Sequence, residues 1–435
     1  MLKRKIMQEL IEWKNKKDKK CLLIQGTRQV GKTYIIEEFG KTEYEEMIEI
    51  NFKETPDAVS IFDGNLDVDT MIMSLRFRYP EKRLVPGKTL LFFDEIQECE
   101  EAITSLKFWS IHRSYDVIAS GSMLGIDYNR ASSYPVGFVD YLKLYALDLE
   151  EFLWARNISP EMIQHLEGYF QKRERVPEAI HKKMLQLFRE YMAIGGMPEV
   201  VQRFIDTGDY READKVQREL LRGYQYDIAH YASADEKVKA EKCYLSLGKQ
   251  LLDKENHKFQ YKEVESGGRA QKFYSSIDWL LRADLVSLCK LTADVVYDLD
   301  DYAREDFFRA YTTDLSLLVA MKDFGLKQHI IEDTIAKTTR GGIYECAIAD
   351  ILLKKGYSLY FYKNDTNSKE IDFLIQSEGR VIPIEVKSGN TRATSLKWLK
   401  KRNPEIETSY KFISGNVGES EDGVITLPLY MAMFL

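Results

Sequence analysis

The sequence is short of the residues that build several kinds of protein. Its five cysteines (Cys21, Cys99, Cys243, Cys289 and Cys346) are odd in number and scattered, with neither paired nor metal-ligand spacing. Such a set fits a reducing cytoplasm better than a disulfide framework. The six histidines show no ligand spacing either, so no zinc site is expected. No apolar run approaches the roughly 18–20 residues that cross a bilayer. The basic stretch MLKRKIMQELIEWKNKKDKK lacks the apolar centre of a secretory signal. It reads as an amphipathic helix that buries Ile6, Leu10, Ile11 and Trp13, and no membrane partner is expected. Positive charge is not in excess: 62 Lys and Arg against 69 Asp and Glu leave a net charge of −7. Any contact with nucleic acid therefore has to use a local patch.

What is present is ordinary globular composition, 44% hydrophobic and 30% charged over 435 residues, long enough for two to four domains. Near the N-terminus a short apolar run, CLLIQ, is followed by GTRQVGKT (Gly26, Thr27, Arg28, Gln29, Val30, Gly31, Lys32, Thr33) and then by the helical TYIIEEF. This is the order strand, phosphate loop, helix. Gly26 and Gly31 let the backbone curl so that its amides point at phosphate oxygens. The helix offers its positive end to the same phosphates. Lys32 can reach the β- and γ-phosphates of ATP, and the Thr33 hydroxyl can ligate Mg²⁺. A second apolar strand, in KTLLFFDEIQ, ends in Asp94 and Glu95. Asp94 at that strand end can hold the Mg²⁺ water shell, and Glu95 can orient or deprotonate the attacking water. A third strand, YDVIASGSMLG, ends in Ser120 and Ser122, either of which can serve as a sensor hydroxyl or simply belong to a Ser-Gly turn. EEMIEINF and VDYLKLYAL supply further strands. Strands alternating with helices imply a parallel sheet covered on both faces.

Residues 149–234 are patterned as helices, with apolar residues three and four apart. GGMP (Gly195 to Pro198) is expected to end one helix and start the next. Residues 235–304 read as helix, turn, helix and an extended pair, the order of a winged helix. Arg269, Lys272 and Arg282 can meet phosphates there, or form the solvated basic side of a packing module.

Beyond residue 305 comes a helix with Ile343, Ala347 and Ile351 on one side, closed by Gly356, with Lys354 and Lys355 in a last turn that favours cations. A strand, YSLYFYK, follows, then EIDFLIQSEGRVIPIEVKSG, two strands joined at a Gly turn. Alternation puts Asp372 opposite in facing to Ile371 and Phe373, and Glu385 and Lys387 opposite to Ile384 and Val386. The turn can bring Asp372 and Glu385 together. Two such carboxylates repel unless a cation separates them, and Mg²⁺ accepts two carboxylates with waters completing its shell. Lys387 beside them can position a water or stabilise charge on a phosphate. Glu345 on the preceding helix can add an outer contact. An ordinary surface ion pair of Lys387 is the plainer alternative.

GTRQVGKT, LLFFDEIQ, SSYPVGFVDYLKLYALDLEEFLWA, GGMPEVV, TDLSLL and YECAIADILLKKG…EIDF…PIEVKSG together resemble the prokaryotic AAA-type ATPases that end in a restriction-endonuclease-like domain of unknown function. The resemblance implies an α/β protein with an AAA-like P-loop core (1–155), a helical region (156–234), a winged-helix-like region (235–304) and a PD-(D/E)XK nuclease-like domain (305–435). By position, Lys32, Thr33, Asp94 and Glu95 look like the nucleotide site, and Asp372, Glu385 and Lys387 like the acid and E-x-K positions. Ser316 stands where the family typically has glycine. Arg113 and Arg130 are candidates for an arginine finger by location. The expectation is an Mg²⁺-dependent ATP hydrolase coupled to a nuclease-like domain that acts on or near DNA. The alternative is a nucleotide-dependent switch that binds a protein partner and cuts nothing. By analogy, self-assembly is an option in either case.

Overall fold

The computed structural model describes residues 2–64, 66–121, 135–252, 258–366, 368–389, 392–418 and 423–435. The chain divides into two compact units, Arg4–Tyr145 and Ala146–Leu435. The helix Leu149–Ala155, at the end of the expected 1–155 core, groups with the second unit. Among the described residues no helix is long and apolar enough to cross a membrane. All five cysteines are buried and free.

The first unit is built on strands β1 (Cys21–Gln25), β2 (Glu46–Asn51), β3 (Thr89–Asp94), β4 (Asp116–Gly121) and β5 (Val139–Lys143). They lie in the order β2-β3-β4-β1-β5 with every pair parallel. The apolar runs of the inner strands β1, β3 and β4 are buried, as expected where helices cover both faces. One layer of core joins Phe52, Phe62, Phe93 and Trp109 edge to face, beneath the helices Val68–Arg78 and Glu100–His112. The N-terminal helix, Ile6–Asn15, buries Ile6, Leu10 and Trp13. Ile11 is only half-buried, since the spacing of four and three residues already defines the inward stripe without it.

The second unit is organised by a seven-stranded sheet of β6 (Val286–Thr292), β7 (Ala303–Thr312), β8 (Leu359–Lys363), β9 (Glu370–Ser377), β10 (Arg380–Lys387), β11 (Ser409–Ile413) and β12 (Val424–Pro428), in the order β12-β11-β10-β9-β8-β6-β7. The helices Lys237–Leu252 and Ala270–Arg282 precede β6 and β7, as expected of a winged helix. The hairpin is not a free wing, however. β6 pairs parallel with β8, so it joins the C-terminal sheet, and the expected boundary at residue 304 falls inside β7. The helix Lys337–Lys354, the antiparallel β8, β9 and β10, the helix Thr394–Arg402 and the parallel β11 complete the tail.

A buried ionic cluster ties three distant stretches of this unit together. Gly195 caps the helix Glu178–Ile194 with φ 72°, and Pro198 opens the helix Pro198–Thr207. A Cβ on Gly196 would meet the Leu147 carbonyl oxygen at 2.0 Å, so no side chain fits. The Gly196 amide donates to Asp314 at 2.9 Å. Lys354 Nζ donates to Asp314 at 2.6 Å, to the Tyr191 hydroxyl at 3.0 Å and to the Leu147 carbonyl at 3.1 Å, and pairs with Asp350 at 2.9 Å. The Ser316 hydroxyl donates to the Ile194 carbonyl at 2.7 Å, which gives the serine at this position a use that glycine lacks. Lys354 is thus a helix-end cation held inside the unit: its side chain is 1% exposed. Burial pulls its pKa down, but Asp314 and Asp350 outweigh that and hold it above the usual lysine value. Lys354→Met should leave two buried carboxylates uncompensated and cost about 3–5 kcal/mol. Chemical denaturation followed by tryptophan fluorescence checks this, and an unchanged transition for this unit would contradict it.

Candidate functional site

The loop after β1 curls where its sequence permits. Gly31 sits at φ 92°, in the left-handed region, and starts the helix Lys32–Glu43. A Cβ on Gly26 would meet the Leu144 carbonyl oxygen at 2.2 Å, so the loop's entry passes the residue after β5 only as glycine. Thr27, Val30 and Lys32 are buried and Gln29 is exposed at φ 63°. Arg28 is half-buried. Arg4, which the sequence reading did not single out, donates to the Val30 carbonyl at 3.0 Å and to the Tyr145 carbonyl at 2.6 Å, and steadies the loop from outside. Lys32 Nζ donates back to the loop's own carbonyls, Gly26 at 2.8 Å and Thr27 at 2.9 Å.

Asp94 is the centre of this arrangement. It ends β3, is 2% exposed, and accepts from the Thr33 hydroxyl at 2.9 Å, the Asn51 amide at 3.1 Å, the Glu95 backbone N–H at 3.0 Å and the Ser120 hydroxyl. Burial raises its pKa, the hydroxyls of Ser120 and Thr33 oppose the rise, and Glu95 adds repulsion. Glu95 lies just beyond, at φ 52°, and its carboxylate accepts from Gln97. Of the two serines considered as sensors, Ser120 is committed to Asp94. Ser122 and Arg130 lie outside the described residues. Arg113, exposed, pairs with Asp18 at 3.4 Å. Asn51 was missed by the sequence reading. It sits opposite Asp94 in the β2–β3 register, and the rule that ligands gather at the carboxyl ends of parallel strands is the signal that finds it. Half-buried Glu49, two residues before it, is pushed up to about 7 by burial and by Glu37 and Asp94. A glycine cradle closed to any side chain, a helix start and a buried carboxylate beside a threonine hydroxyl fit a Mg²⁺-bound triphosphate.

The second cluster lies on β7, β9, β10 and the helix Lys337–Lys354. The pairing of Phe373 with Ile384 brings Asp372 and Glu385 to the same end of the hairpin. Asp372 takes the Val386 amide at 2.7 Å. Lys387 Nζ stands 3.7 Å from Asp372 and 3.6 Å from Glu385. Glu385 is 1% exposed, and both of its carboxylate oxygens are buried without a hydrogen-bond partner. Burial pushes its pKa up to about 7, with Asp372 adding repulsion and Lys387 opposing. Asp372 is raised too, by burial first and then by Glu345, against Lys387 and Arg309. The orphaned carboxylate fits a divalent cation held between Asp372 and Glu385. Among the described residues no group of three or more His, Cys, Asp and Glu is arranged to hold a metal. Glu345 is not loose beside this pair: it accepts from Arg309 Nη1 at 2.6 Å and from the Tyr311 hydroxyl at 2.9 Å. Arg309, which the sequence reading did not single out, also donates to Glu370 and, at 3.2 Å, to the Asp372 carbonyl. No short motif announces it, because its partners come from other elements.

The basic residues of the expected winged helix are largely spoken for. Arg282 pairs with Asp278 at 2.9 Å, and Lys272 pairs with Glu265, which also holds Lys242. That favours the packing module over a phosphate-reading surface.

Residues 18–153 match the family model of the AAA domain. Residues 185–328 and 340–430 match models of domains of unknown function, DUF8612 and DUF4143. No curated protein matches the chain. Among solved structures it is similar to the Walker-type ATPase PABY2304 of Pyrococcus abyssi, at 12% identity and TM-score 0.42, over 74% of this chain and 96% of that one. It is also similar to AMPPCP-bound DnaA of Aquifex aeolicus (12% identity, TM-score 0.29, 63% and 86% covered) and to ORC1 of Aeropyrum pernix in complex with DNA (11%, 0.27, 76% and 91%). The AAA-domain match spans the loop and strand ends described above, and the first unit carries an AAA-type P-loop ATPase domain.

The native state holds the Glu385 proton to about 7, against an ordinary 4.5. Between those values the folded chain binds more protons than the unfolded one, so this group makes stability fall as pH rises through that window and level off above it. Glu385→Gln removes the term. With chelator present, the stability lost between pH 5 and pH 8 in urea titrations should be smaller in the variant, and an equal or larger loss would refute the assignment.

Proposed function

We propose that the chain is a Mg²⁺-dependent ATP hydrolase whose nucleotide state is coupled to a nuclease-like C-terminal domain acting on or near DNA. The observation that carries the ATPase part is Asp94, buried at the end of β3 and held by Thr33, Asn51 and Ser120 beneath the glycine loop. The loop amides from Gly26 to Thr33 and the start of the helix Lys32–Glu43 would receive the phosphates. Lys32, which rests on its own loop's carbonyls, exchanges them for phosphate oxygens. Thr33 and Asp94 would hold the Mg²⁺ shell, and the ion supplies charge neutralisation for the transferred phosphoryl group. Glu95 orients and deprotonates the attacking water, with Gln97 fixing its carboxylate. Ser122 is the remaining candidate for a γ-phosphate sensor.

In the tail, the run of helix, three antiparallel strands, helix and parallel strand, with Asp372, Glu385 and Lys387 at one hairpin end, supports the PD-(D/E)XK-like reading. Asp372 and Glu385 would hold a divalent ion, and Lys387 would stabilise charge on a phosphate. The second reading, a switch whose tail is a non-cleaving scaffold for a protein partner, is favoured by one observation. Lys387 already stands between the two carboxylates, at 3.7 and 3.6 Å, and supplies part of the charge a metal would bring. Assembly into oligomers is compatible with either.

The test is ATP turnover with and without DNA, alongside cleavage assays in Mg²⁺ or Mn²⁺. Lys32→Ala should reduce turnover to background, and Glu95→Gln should lower kcat by about 10²–10⁴. Full turnover in Lys32→Ala would remove the assigned site. DNA cleavage that disappears in Lys387→Ala supports the nuclease reading. An active ATPase that neither cuts DNA nor responds to it leaves the scaffold reading.

A further inference from the structure

The tail cluster gathers four carboxylates, Glu345, Glu370, Asp372 and Glu385, yet they are not equivalent. Glu345 and Glu370 are both taken by Arg309, whose side chain is 2% exposed. Glu345 also receives the Tyr311 hydroxyl, and Glu370 is paired with Lys363 at 3.1 Å. Asp372 takes the Val386 amide at 2.7 Å and stands 3.7 Å from the ammonium of Lys387, while Glu385 stands 3.6 Å from it with both carboxylate oxygens buried and without a hydrogen bond. The guanidinium is planar, permanently charged and made for two carboxylates at once. It sits where a second metal ion would have to draw its ligands.

We propose that Arg309 is a built-in replacement for a second cation, so that the C-terminal site takes one divalent ion, on Asp372 and Glu385, and never two. The inference rests on the reading of that pair as a cation site. Charge supports it. Four carboxylates against Arg309, Lys363 and Lys387 leave one net negative charge, which a single divalent ion turns into one net positive charge. A second ion would raise that to three positive charges in a largely buried site, with Glu345 and Glu370 already engaged. Two-ion sites also need their metals about 3.5–4 Å apart and clamped by shared ligands, and Arg309 holds the carboxylates that could do the clamping. Arg309 is thus a positioning residue: it withdraws Glu345 from coordination and anchors the Asp372 backbone through its carbonyl.

Mn²⁺ binding to the full chain tests this, counted by calorimetry and by electron paramagnetic resonance in an Asp94→Asn background that silences the nucleotide site. One Mn²⁺ per chain is expected, lost in Asp372→Asn and in Glu385→Gln. Glu345→Gln should change the affinity by less than about twofold, since the residue is held by Arg309 and is not a ligand. Arg309→Met should free Glu345 and Glu370 and admit a second Mn²⁺. If that variant does not fold, Glu345→Gln alone still decides. Two Mn²⁺ in the parent chain, or a loss of more than about tenfold in Glu345→Gln, overturns the role of Arg309 while leaving the cation site intact. No Mn²⁺ at all overturns the cation site itself, and the inference with it.

Discussion

Charge taken out of water has to be met by opposite charge or by well-aimed donors, and each centre of this protein is arranged around that requirement. Asp94 is met by two hydroxyls, a side-chain amide and a backbone N–H. Lys354 is met by two aspartates, a phenol and a carbonyl. Arg309 is met by two glutamates and a carbonyl. Glu385 differs in degree: Arg309 and Asp350 each leave one buried atom without a hydrogen bond, whereas Glu385 leaves both of its carboxylate oxygens so. The contrast separates clusters that complete a fold from one that is unfinished without something else.

The same constraint sorts the motifs. GGMP, TDLSLL and Lys354 at the end of the helix Lys337–Lys354 look unrelated in the chain, but they are three sides of one buried knot. Gly196 is there because a carbonyl passes too close for a Cβ, and Ser316 because its hydroxyl closes the end of the preceding helix. These residues are architectural. The glycines of the phosphate loop obey similar steric rules, but the loop they shape holds Lys32 on its own carbonyls and sets the Thr33 hydroxyl on the buried carboxylate of Asp94.

In two places the tertiary structure adds to a local pattern what the chain order does not carry. The helix pair and hairpin at 235–304 have the order of a winged helix. The hairpin nevertheless docks on β8, because an apolar strand beside an open sheet edge gains a full ladder by joining it. Lys354 has the sequence position of a helix-end cation and the environment of a core residue. In both cases the local pattern was real and a longer-range contact outweighed it.

What the sequence determined by itself is whatever depends on neighbours in the chain. The strand–loop–helix of the phosphate cradle, the acidic end of β3, the GGMP helix break and the two-residue alternation that brings Asp372 toward Glu385 all follow from spacing, sterics and hydrogen bonding over a few residues. Tertiary structure decided which groups answer each buried charge. Asn51 reaches Asp94 across 43 residues, and Arg309 reaches Glu345 across 36 and Glu370 across 61. Such partners carry no local signature, because desolvation acts on distance in space and is indifferent to distance along the chain.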